Sequence, residues 1–139
     1  MGLDSRREDL ARSFGASRYW TLSDPPSQLY DAVIDCTGGE TVPAMALRLV
    51  EPAGRIVYIG VSRKTSAIDS RDLVLGDVTA VGILGASAGL APAIEHYADG
   101  RVDPGPLVHV VVGLDRAVEA FDGRLTPEPG TKIHVDPRR

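Results

Sequence analysis

Two stretches, Tyr30-Asp-Ala-Val-Ile-Asp-Cys-Thr-Gly-Gly39 and Gly54-Arg-Ile-Val-Tyr-Ile-Gly-Val61, decide the fold. Each is a short apolar run closed by glycine, the pattern of parallel strands buried on both faces. Between them Ala44, Leu47 and Val50 recur at helical spacing from a start at Glu40 or Thr41, and Glu51-Pro-Ala-Gly54 stops that helix. The result is one β-α-β unit with a right-handed crossover. In sheets of this kind ligands lie at the carboxyl ends of the strands.

Upstream, Met1 to Asp4 reads as a strand stub ending on an acid, and Ser5 as the N-cap of a helix through Phe14 that Gly15 stops. Arg18-Tyr-Trp-Thr-Leu22 is β-prone, and Asp24-Pro-Pro-Ser27 breaks it. Downstream, a polar loop from Ser62 to Ser70 leads to a strand at Val78 to Leu84, ended by Gly85. A helix follows that Gly89 and Pro92 restrict to a start near Leu90, with Asp99-Gly100 as its close. Leu107 to Val112 predicts a further strand, Leu114 to Phe121 a short amphipathic helix, and Lys132 to Val135 a last strand. No G-x-G-x-x-G occurs anywhere. The expected fold class is therefore α/β, an incomplete Rossmann-like parallel sheet with flanking helices that lacks the first β-α unit.

With 15 basic and 19 acidic residues the formal charge is −4, and no segment gathers a basic stripe, which argues against a nucleic-acid partner. No apolar run approaches the roughly 20 residues of a membrane span, and the first residues lack the apolar core of a signal peptide. A cytoplasmic, soluble chain is the expectation. Cys36 is the only cysteine. Set in an apolar run with no histidine nearby in sequence, it reads as a buried small hydrophobe rather than a nucleophile. His96, His109 and His134 show no metal-ligand spacing, so no zinc site is expected. Asp31 and Asp35 look like strand-edge charges and Glu8 and Asp9 like helix-face charges, leaving no catalytic residue to name.

The order Leu10-Ala-Arg-Ser-Phe-Gly-Ala16, Tyr30 to Gly38, Ala46-Leu-Arg-Leu-Val-Glu-Pro-Ala-Gly-Arg-Ile-Val-Tyr-Ile-Gly60, Val81-Gly82 and Ala117-Val-Glu-Ala-Phe121 resembles the medium-chain, zinc-type alcohol dehydrogenase and quinone reductase superfamily. The resemblance covers essentially the whole chain and implies its C-terminal, nucleotide-binding portion. It divides the sequence into a partial dinucleotide-binding domain at 1–106 and a tail at 107–139 that packs on a catalytic domain in full-length members. The strand at Lys132 to Val135 would then expose unpaired backbone, unless it pairs elsewhere.

A dinucleotide is gripped chiefly by a glycine-rich turn and a helix N-terminus around its pyrophosphate. Without that turn, binding of NADP or NAD is expected to be weak or absent. For the ribose two registers compete. Asp4 could accept both ribose hydroxyls, favouring NAD. In the register that the resemblance favours, Gly2 takes the acidic position, and Gly2 with Arg6 and Arg7 would admit a 2′-phosphate, which leans the reading to NADP. The resemblance further places Thr37 and Gly38 on the adenine side, Ile59, Gly60, Val61 and Ile83 to Gly85 beside the nicotinamide carboxamide, and Lys132 toward the pyrophosphate.

Three functions compete. The first is an oxidoreductase portion inactive alone. The second is a non-catalytic module that forms a homodimer through strand 78–84, as the resembling family continues its sheet across a two-fold axis. The third, a fragment of an S-adenosylmethionine methyltransferase, rests on the Leu47 to Val57 helix-turn-strand and on Asp4 as a ribose ligand.

Overall fold

The computed structural model describes residues 1–2, 4–85, 88–125 and 131–139. In chain order the helices are α1 (Glu8–Ser13), α2 (Val42–Leu49), α3 (Ser70–Leu75), α4 (Leu90–Ala98) and α5 (Ala117–Phe121). The strands are β1 (Tyr30–Asp35), β2 (Val50–Tyr58), β3 (Thr79–Gly82), β4 (Val108–Val112) and β5 (Lys132–Val135), and short 3-10 turns precede α1, β4 and α5. The chain divides into two units, residues 26–89 and residues 1–25 with 90–139.

The 26–89 unit is the expected β-α-β arrangement extended by one strand. Its sheet has the order β1-β2-β3, all parallel, with Val33 opposite Ile56 and Ile56 opposite Ala80. Its core is Ala46 and Leu47 of α2 with Val50 and Ile56 of β2, and Val33, Tyr58, Leu73 and Val78 pack around it. Ile56 is fully buried, which by area stabilises the unit by about 2 to 3 kcal/mol. The packed face is only one of two. Ile34, pointing the other way by the strand's two-residue period, is 61% exposed, so the run of apolar residues that suggested burial on both faces is covered on one.

The helix stop is gentler than its sequence implies. Glu51-Pro-Ala-Gly54 bulges out of β2 instead of separating it from the helix: Tyr30 pairs with Val50 and Ala32 already with Arg55. Ala53 sits at φ 62 within that bulge, a left-handed conformation that disfavours a Cβ. Its N–H donates to the Gly76 carbonyl at 2.7 Å, tying the bulge to the end of α3. Residues 70–75 form a helix where no periodic signal predicts one, started by Asp69, whose carboxylate accepts the Arg71 N–H at 3.0 Å.

In the other unit Asp4, not Ser5, caps the first turn, accepting the Arg6 N–H at 2.9 Å. Arg12 pairs with Glu8 one turn earlier at 2.7 Å, and Gly15, at φ 89, ends the helix as expected. Among the described residues Arg18 to Leu22 yields isolated bridges in place of a strand, a parallel one from Thr21 to Gly2 and an antiparallel one from Thr21 to Asp24. Gly2 donates to the Trp20 carbonyl at 2.9 Å and accepts from the Leu22 N–H at 3.0 Å. The last strand finds a partner: β5 pairs in parallel with β4, Lys132 opposite Val108 and Val135 opposite Val112.

Candidate functional site

The carboxyl ends of β1 and β2 meet in a tight knuckle. After Tyr58 the chain folds over the end of β1, where the Ile59 and Gly60 N–H groups both donate to the Asp35 carbonyl at 2.9 Å. A Cβ on Gly60 would overlap the Thr37 carbonyl, and one on Gly38 would stand 3.0 Å from the Val61 carbonyl. Glycine is thus required at Gly60 by backbone contact alone. Thr37, Gly38, Ile59, Gly60 and Val61, five of the residues singled out from sequence, are brought together here. Ile83 joins the end of β2 by donating to the Tyr58 carbonyl at 2.9 Å, whereas a Cβ on Gly85 would meet only open space.

Beneath the knuckle lies a residue that the sequence reading passed over as a strand-edge charge. Asp35 is 4% exposed, and one of its carboxylate oxygens accepts both the Thr37 N–H at 2.8 Å and the Thr37 hydroxyl at 2.7 Å. Gly39 N–H donates to that same hydroxyl at 3.1 Å. The spacing Asp35-x-Thr37 carries the signal that could have found it, since aspartate commonly folds back on the backbone two residues ahead. Tyr58, half-buried, donates its hydroxyl to the Pro43 carbonyl at 3.2 Å. Burial first, and the Asp35 charge second, push its hydroxyl above the usual tyrosine range. Cys36, one residue past the end of β1, is exposed, not buried as its apolar neighbours suggested, while Asp35 takes the inner face.

In the other unit Gly2, Asp4 and Arg6 come together. Arg6 holds the Asp4 carboxylate through its Nε at 3.0 Å and its Nη2 at 2.7 Å. That guanidinium holds the Asp4 carboxyl below its ordinary value, and Asp4 in turn raises the Arg6 pKa. A Cβ on Gly2 would run into the Tyr19 hydroxyl, which donates to the Asp4 carbonyl at 2.8 Å. The space that glycine leaves is therefore filled by Tyr19. Arg7 is exposed at the end of the first turn, and Lys132 is exposed on β5. A concavity of about 460 Å³ lined by Val111 and by His134 to Arg138 includes none of these residues. Among the described residues no three His, Cys, Asp or Glu side chains assemble as metal ligands, and no helix is long and apolar enough to cross a membrane.

Solved structures share the fold of this chain. Among solved structures, 2R,3R-butanediol dehydrogenase from Bacillus subtilis is 23% identical over 97% of this chain, with a TM-score of 0.81. A zinc-binding dehydrogenase from Sinorhizobium meliloti bound to NADP is 21% identical over 98%, with a TM-score of 0.81. An alcohol dehydrogenase from Escherichia coli CFT073 complexed with NADH is 16% identical over 94%, again at 0.81. The chain spans 42%, 44% and 42% of those proteins, respectively. No curated protein matches. The family model described as zinc-binding dehydrogenase matches residues 1–99, which displaces the methyltransferase alternative. This chain belongs to the zinc-binding dehydrogenase family.

Proposed function

We propose that the chain is the nucleotide-binding portion of a nicotinamide-dependent oxidoreductase, and that these 139 residues alone hold the cofactor weakly and turn over no substrate. The carrying observation is the knuckle of Thr37, Gly38, Ile59, Gly60 and Val61, where two glycines stand against neighbouring backbone at the carboxyl ends of parallel strands, the place where such sheets receive ligands. Its likeness to proteins solved with NADP and with NADH supports the cofactor class. Weak binding follows from the sequence, which offers no glycine-rich turn for the pyrophosphate. Loss of turnover follows from the absence, among the residues of the knuckle, of a side chain suited to proton transfer at a substrate. Incubation of the pure chain with NADH or NADPH and a panel of aldehydes, quinones and enones is expected to leave nicotinamide absorbance unchanged; steady oxidation refutes the proposal.

At the ribose end the geometry favours NAD over NADP. Tyr19 fills the space over Gly2, and a 2′-phosphate would have to draw Arg6 away from Asp4 and leave a carboxylate beside a phosphate. Stronger displacement of bound probe by NADPH than by NADH contradicts this preference.

The same chain is also proposed to self-associate through β3. That strand pairs only with β2 among the described strands, and Val81 on it and Leu84 just beyond are exposed. An unpaired, apolar edge is a natural place for a second sheet to join.

A further inference from the structure

The knuckle specifies what kind of ligand group it can hold. Asp35 carries a carboxylate, which only accepts, so the Thr37 hydroxyl proton that reaches it at 2.7 Å is committed inward. One lone pair of that hydroxyl takes the Gly39 N–H. An exposed Thr37 is thus left with a single open lone pair and no proton to offer. The surrounding backbone is in the same condition: the Thr37 N–H is held by Asp35 Oδ1, and the Ile59 and Gly60 N–H groups by the Asp35 carbonyl. Phosphate sites need free donors, and here four backbone donors around the turn are already engaged internally. A buried carboxylate behind them adds a repulsive charge.

We propose that Asp35 is a positioning residue that fixes the Thr37 hydroxyl as a hydrogen-bond acceptor, so that this strand end selects a ligand group that donates, a sugar hydroxyl or an amino N–H, and rejects a phosphate. The proposal rests on the nucleotide-binding reading above and names the part of the nucleotide that docks on Thr37.

The test is a titration of the ¹⁵N-labelled 139-residue chain, followed at the Thr37, Gly38, Gly39 and Gly60 amides, with adenosine, 2′,3′-dideoxyadenosine, inosine and inorganic phosphate. Adenosine is expected to shift these amides saturably and phosphate to leave them in place. Weaker binding of the dideoxy compound identifies the sugar hydroxyls as the donor; weaker binding of inosine identifies the base amine. Thr37→Ser should retain adenosine binding, and Thr37→Val should weaken it roughly fivefold, the worth of one hydrogen bond. Asp35→Ala, which removes the acceptor of both the Thr37 N–H and the Thr37 hydroxyl and frees two donors at the strand end, should weaken adenosine and admit phosphate. If that variant does not fold, the Thr37→Ser and Thr37→Val pair decides by itself. Phosphate binding as strongly as adenosine, or unchanged affinity in Thr37→Val, overturns the proposal. If adenosine, phosphate and NADH all leave every amide unmoved, the nucleotide-binding reading fails, and the proposal with it.

Discussion

At Gly60 the neighbouring strand leaves no room for a side chain. A methyl group there would overlap backbone atoms of Thr37, which, unlike the tip of a flexible side chain, cannot swing aside. Gly60→Ala is expected to destabilise the chain by about 1 to 3 kcal/mol, the usual cost of overpacking, and urea unfolding followed by circular dichroism measures it. An unchanged midpoint would mean that the knuckle is looser than its hydrogen bonds imply. Gly2 should behave differently, since its obstacle is the end of the Tyr19 side chain. At this scale the sequence was partly legible. The glycines and Thr37 could be placed because a strand closed by glycine marks a turn, whatever the glycine touches. Asp35 and Cys36 were read the wrong way round, because one step along a strand exchanges the inner face for the outer and composition does not say which residue points in.

Among the elements, β1, α2 and β4 fell within a residue or two of their expected places, since apolar runs and helical spacing set them locally. The helix at 70–75 and the Arg18 to Leu22 segment did not. The first is short, and its apolar Leu73, Val74 and Leu75 are consecutive rather than periodic; only the Asp69 cap announced it. The second is β-prone, but a strand requires a partner of its own length, and propensity carries no information about partners. The unpaired edge of β3 gives this scale its own expectation. Size-exclusion chromatography with light scattering should find a dimer, and Ala80→Pro should return it to monomer: Ile83 donates to Tyr58 of β2, so by the alternation along β3 the Ala80 N–H faces the open edge, where proline removes a donor from the intermolecular ladder. A wild-type chain that remains monomeric at high concentration counts against association through β3.

For the molecule as a whole, charge is arranged in small local pairs. Asp4, Asp69, Asp99 and Asp136 are each bound by the arginine two residues later, and that arginine holds each carboxyl below its ordinary value of 3.8. A carboxyl with a lower pKa folded than unfolded contributes stability that is complete above its unfolded value and is lost as the pH falls through its folded one. Thermal unfolding temperature should therefore hold steady from about pH 7 to pH 5 and decline below about pH 4, with a smaller decline in high salt because the pairs are exposed. A flat profile down to about pH 2 would contradict this. The fold class was legible across the molecule because glycine-closed apolar strands bracketing a helix admit few topologies. What stayed hidden was contact over distance, such as Tyr19 over Gly2 or Thr37 against Gly60. The proposed nucleotide socket has no phosphate-gripping turn within these 139 residues. Calorimetric titration of the pure chain with NADH tests it most directly: a dissociation constant of about 1 mM or weaker, roughly −4 kcal/mol, is the predicted result, and micromolar binding would contradict it.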